Sequence, residues 1–192
     1  MTLTQSITRI ALATALLLLI PLAAKFFLPG MGWDVFDFVF AGVLLFGTGL
    51  TYVLIARKWN NTVYRVAVGV AVLAGLLLVW ANAAVGLVGS EDNPANLLYA
   101  GVLAVALMGA IVARFRPLGM SRAMFGAAIA YVLVTVVALF VWTPTGVGAE
   151  PSVPRINELA ANGAFAALWA FAGWLFQRAA SMTNSDANRQ LA

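Results

Sequence analysis

YRVAVGVAVLAGLLLVWANAAVGLV, residues 64–88, decides the fold of this chain. After Arg65 no charged residue appears before Glu91. A helix needs about 20 such residues to cross the hydrocarbon of a bilayer at ~1.5 Å per residue. Lipid supplies no partner for backbone N–H and C=O groups, so an apolar run of this length is read as a spanning helix. Working outward, five more runs meet the same test, at approximately 9–28, 34–56, 94–114, 121–142 and 155–177. The fold expected is therefore all-α, a polytopic membrane protein built as a six-transmembrane-helix bundle. Composition agrees: the chain is 63% hydrophobic and 9% charged, where a soluble domain carries about 25% charged residues. Residues 1–180 read as a single transmembrane domain, and the polar stretch 181–192 as a mobile tail.

Charge orients the bundle. Arg9, Arg57, Lys58, Arg65, Arg114, Arg116, Arg122, Arg178 and Arg189 all fall on one side of the six runs. Asp34, Asp37, Glu91, Asp92, Glu150 and Glu158 fall on the other, with Lys25 and Arg155. By the positive-inside rule both termini are expected in the cytoplasm and the acidic ends outside. The net charge of +4 thus belongs to helix ends facing anionic headgroups, and nucleic acid is not an expected partner. Residues 1–28 have some features of a cleaved signal peptide; retention as the first span is the reading adopted.

The chain has neither cysteine nor histidine. Disulfides, Cys/His zinc sites and iron–sulfur clusters are excluded, and no cofactor is expected unless a hard cation binds oxygen ligands. Local chemistry marks the boundaries. Asn93-Pro94 supplies an N-cap and a proline at the first helical position of the fourth helix. Val153-Pro154 is expected to start the sixth, Pro117-Leu-Gly119 separates the fourth from the fifth, and Pro21 predicts a kink in the first. The connection 143–153 is long enough for a partial lid. Small residues crowd the sixth span, where Gly163 and Ala167 are expected to pack against neighbouring helices and make that helix central.

Three polar clusters are candidates for chemistry. Lys25 and Asp37 lie about one turn inside the first and second helices, at matching depths, so an ion pair is feasible; a snorkelling lysine and a capping aspartate are the alternative. Asn82, Gly86 and Gly89 fall at i, i+4 and i+7, presenting an amide and two bare backbone positions on one helix face. Glu91, Asp92 and Asn96 follow in the hairpin, and carboxylates with amide oxygens suit calcium or magnesium; two neighbouring acids alone are a weak metal signal, and a capped, solvated turn is the plainer reading. Glu158 and Asn162 share a face of the sixth helix, where a buried carboxylate would be costly and functional; at headgroup level Glu158 would be only a favourable charge at the helix N-terminus. Trp59 and Tyr64, with Trp33 and Trp142, read as interfacial aromatic belts.

The motif Trp80-x-Asn82-x-Ala84-Val85-Gly86-x-x-Gly89-Ser90-Glu91-Asp92-Asn93-Pro94-Ala95-Asn96, with Trp33-Asp34-x-x-Asp37-Phe38, Ala56-Arg57-Lys58 and Ala113-Arg114-Phe115-Arg116-Pro117, resembles a family of small bacterial integral inner-membrane proteins. The resemblance implies a bacterial inner membrane and brings no activity, cofactor or partner. From the residues, the first expectation is a small cation-linked transporter or channel-like protein, with Asp37, Glu91, Asp92 and Glu158 converging on an acidic outer mouth that focuses cations. The alternative is a non-catalytic scaffold or accessory subunit working through helix contacts with a membrane-protein partner or a second copy. An intramembrane enzyme is the weakest reading of a chain without His or Cys.

Overall fold

A computed structural model of the chain describes residues 2–28, 30, 32–89, 92–141 and 155–191. All regular structure among them is helical: α1 (Leu3–Phe27), α2 (Val35–Ala56), α3 (Thr62–Ala84), a 3₁₀ turn (Pro94–Tyr99) running into α4 (Ala100–Val112), α5 (Pro117–Val136) ending in a π turn (Val137–Val141), and α6 (Arg155–Leu191). Six of these helices are long and apolar enough to cross a membrane. Val153, Pro154, Glu91, Ser90 and the 143–153 connection lie outside the described residues. Contacts divide the chain after Arg57 into two units, so the single domain expected from composition is two contact units.

In the first unit, α1 starts six residues earlier than expected because Thr2 and Gln5 form a capping box, each side chain accepting from the other's backbone N–H. Pro21 sits inside a continuous α1. Asp34 and Asp37 repeat the device at the start of α2: Asp34 Oδ1 accepts from Asp37 N at 3.0 Å and Asp37 Oδ2 from Asp34 N at 2.9 Å. The two helices pack at Gly49, where a Cβ would stand 2.7 Å from the Ile10 side chain.

In the second unit α6 packs on both α5 and α3, and α4 packs on α5. From α3, Tyr64, Ala67, Val68, Ala71, Ala74 and Leu78 point inward, an i, i+3, i+4, i+7 stripe. Close contacts elsewhere fall at glycines. A Cβ on Gly109 would lie 2.7 Å from that of Ala123, and one on Gly173 would meet the Phe125 ring at 3.1 Å. The interior is mostly apolar but also takes in Asn96, Ser121, Thr135 and Asn162, while many large apolar side chains, Phe36, Val112 and Ile129 among them, are exposed.

The sixth helix is indeed a middle helix of its unit, but Gly163 and Ala167 do not make it so. Its buried line is Asn162, Trp169, Ala172, Phe176 and Ala179. Gly163 follows Asn162 by one residue, hence by ~100° around the helix, and nothing stands within 4 Å of where its Cβ would be. Ala160, Ala161, Ala164 and Ala167 are exposed with it. The polar stretch expected as a tail is helical to Leu191. No Gly or Pro interrupts it, and the Ser181 and Thr183 hydroxyls fold back onto the carbonyls of Arg178 and Ala179.

Candidate functional site

The second unit has one polar interior, built around a loop that turns back into the helices. α3 stops at Ala84, four residues before the expected end, because Gly86 adopts φ +72° and Gly89 φ +66°. That left-handed backbone ends a helix and suits glycine. Gly86 and Gly89 are therefore turn positions and not a bare helix face with Asn82. Between them Leu87 and Val88 are drawn inside, and their backbone groups need partners there.

Asn96 and Asn162 supply those partners. Asn96 Oδ1 accepts from Leu87 N at 2.9 Å and Val88 N at 3.0 Å, and its Nδ2 donates to the Val88 carbonyl. Asn96 stands on the 3₁₀ turn, which begins as expected with Asn93 accepting from Ala95 N and Pro94 at the first position. Asn82 Nδ2 donates to the Asn96 carbonyl at 2.9 Å. From α6, Asn162 Nδ2 donates to the Leu87 carbonyl at 2.9 Å, and Glu158 Oε1 accepts from Gly89 N at 3.0 Å. The other side of Asn162 faces aromatic hydroxyls: Oδ1 accepts from Tyr99 Oη at 2.7 Å and Tyr131 Oη at 3.0 Å. Thr135 closes the network, donating to the Tyr131 carbonyl and lying 3.2 Å from Tyr99 Oη. Asn96 and Asn162 each use both ends of the amide, so the cluster fixes loop, 3₁₀ turn, α5 and α6 in one arrangement.

Asn82, Asn96 and Glu158, three of the six candidate ligands, thus meet around one loop, where they serve backbone groups. Asp92 is exposed beside it and Glu91 lies outside the described residues. Asp37 belongs to the first unit and its carboxylate caps α2. Lys25 does not pair with it: its Nζ donates to the Trp33 carbonyl at 2.6 Å. Among the described residues no group of three or more acidic, His or Cys side chains could hold a metal ion. Asn82 Oδ1 is an acceptor without a partner among them.

Tyr131 and Thr135 escaped the sequence reading. Their signal was present as two hydroxyls at i and i+4 in an otherwise apolar run, which puts both on one helix face. Trp59 and Tyr64 were expected at the membrane interface, yet Tyr64 is fully buried. At the far end of this unit the α4–α5 turn places Arg114 and Phe115 at φ +49° and +59°, a strained backbone for side chains other than Gly. Trp59 Nε1 and Tyr64 Oη both donate to the Phe115 carbonyl, at 3.0 and 2.8 Å, and Lys58 Nζ lies 4.9 Å from the Phe115 ring centroid. These contacts hold the turn in place.

No family model, curated protein or solved structure matches the chain.

Proposed function

We propose that this chain is a multi-pass protein of a bacterial inner membrane, with both termini cytoplasmic, acting as a non-catalytic scaffold or accessory subunit through helix contacts. The observation that carries this reading is the uncovered small face of α6, where Ala160, Ala161, Gly163 and Ala164 are exposed. Lipid gains more contact from Leu, Ile or Phe. Small side chains on a spanning helix serve the close approach of another helix, where van der Waals contact drives association. The polar groups inside the second unit also suit a scaffold, since they bond to one another and to a buried loop. A photocrosslinker at Ala164 tests the reading in native membranes. Discrete protein adducts are expected at Ala164 and none at Leu107, which is exposed on α4; only lipid adducts at both would refute it. Thiol labelling of Asp92→Cys in this cysteine-free chain tests the topology, with labelling from the periplasmic side expected.

A second reading, cation-linked transport, is favoured by Glu158, a half-buried carboxylate that accepts a hydrogen bond from Gly89 N. On that reading calcium, magnesium or sodium at fixed ionic strength raises the melting temperature of the wild type and not of Glu158→Gln, by the linkage of ligand binding to stability. Equal responses in both proteins would dismiss it.

A further inference from the structure

Between α5 and α6 runs an open groove of about 480 Å³, lined by apolar side chains that include Ile129, Val132 and Leu133 on one side and Ala166, Ala167 and Ala170 on the other. Its volume is that of a small-molecule site, within the usual ~300–1,000 Å³. Its length decides what fits. From Phe125 to Leu133 the lining covers about 12 Å at 1.5 Å per residue. A partner helix needs a seam of ~30 Å across the hydrocarbon, whereas one leaflet is about half of that. A single acyl chain matches the groove better than a helix does.

Charge at one end names the headgroup. Gly173 of α6 stands against the Phe125 ring, and Asn162 against Tyr131, so the helices run antiparallel. Arg122 precedes Phe125 by three residues and Arg178 follows Gly173 by five, so both lie beyond the same end of the groove. Their Cα depths differ by only ~3 Å at the helical rise. Arg122 is exposed and makes no hydrogen bond or ion pair among the described residues. Arg178 stacks its guanidinium 4.6 Å from the Trp174 ring centroid and has no acidic partner among them. Two arginines at similar depth beyond one end of an apolar groove suit a phosphate at headgroup level, which arginine binds through paired N–H donors.

We propose that this groove is a binding site for one anionic phospholipid, its acyl chain lying between α5 and α6 and its phosphate held by Arg122 and Arg178. The site rests on the membrane reading above, but not on the scaffold role, whose face lies on the preceding turns of α6. Specificity comes from the arginines, and occupancy from the groove. Each Arg near an anionic surface contributes about fivefold in affinity, so the pair supplies about 30-fold preference for phosphatidylglycerol over phosphatidylcholine.

Native mass spectrometry of the full chain in mild detergent, titrated with each lipid, measures this directly. The wild type is expected to retain phosphatidylglycerol selectively. Arg122→Gln/Arg178→Gln should lose the preference, Arg122→Lys/Arg178→Lys should keep most of it, and Ala170→Leu, which fills the groove, should weaken both lipids together. Arg65→Gln, an exposed arginine of α3, controls for general loss of charge and should change nothing. Persistence of the preference in the double Gln variant, or an unaltered phosphatidylglycerol adduct in Ala170→Leu, would overturn the proposal. A wild-type dimer that Ala170→Leu dissociates without altering lipid adducts would assign the groove to a second copy and overturn it as well. Release of the chain from membranes by alkaline carbonate would instead sink the membrane reading, a failure seen before any lipid is added.

Discussion

Replacing Asn162 by leucine tests whether the polar interior holds the second unit together. The side chain is 2% exposed, and leucine has the same number of side-chain heavy atoms with a somewhat larger volume, so the change removes hydrogen bonds without opening a cavity. Four tertiary bonds vanish: those from Tyr99, Tyr131 and Thr135 and the one to the Leu87 carbonyl. Tyr99 keeps Thr135 as a neighbour at 3.2 Å, whereas Tyr131 Oη and the Leu87 carbonyl lose the side-chain partner that the structure gives each of them. Two orphaned groups at ~1–3 kcal/mol each give about 2–6 kcal/mol. Interhelical hydrogen bonds in membranes average nearer ~0.6 kcal/mol, so four of them give about 2.4. The expected loss is therefore about 2–4 kcal/mol, or roughly 5–15 °C in melting temperature at 2–4 °C per kcal/mol. Tyr131→Phe alone should cost about 1 kcal/mol, since Asn162 retains Tyr99. In the double variant the hydroxyl that leucine would strand is gone, so the two costs should fall short of additivity by about 1 kcal/mol. Reversible unfolding in mixed detergent micelles gives all four free energies. An Asn162→Leu protein within 0.5 kcal/mol of wild type, or strict additivity, would refute the idea that this network holds the loop.

Gly86→Ala should destabilise by about 1–2 kcal/mol because alanine pays for left-handed backbone, while Gly163→Ala, in open space on an exposed helix face, should be neutral or stabilise by up to ~1 kcal/mol; thermal melts of the pair give the contrast. Gly109→Val should cost about 1–3 kcal/mol by overpacking against Ala123, read as a lower unfolding midpoint. At the α4–α5 turn, Trp59→Phe and Tyr64→Phe should each be mild and their combination markedly worse, because only the double variant strips the Phe115 carbonyl of both donors; a double-mutant cycle in detergent measures the excess.

The sequence by itself determined six long helices, because hydropathy over ~20 residues is a one-dimensional property and a helix satisfies its own backbone wherever it lies. It also placed Asn93-Pro94 at the start of a helical turn, since a cap acts over three residues. Segments whose state depends on a few dihedrals were less legible: the pattern from Asn82 to Gly89 fits a continuing helix until Gly86 takes a positive φ. Which small residues of α6 face inward was equally hidden, since nearly every position from Ala160 to Ala172 is small enough to pack. Only the tertiary structure, by setting the rotation of α6 so that Asn162 meets Tyr99, Tyr131 and the Leu87 carbonyl, left Gly163 outside. A buried amide in an apolar surround loses most if unpaired, and pairing it fixes the rotation of the helix that carries it.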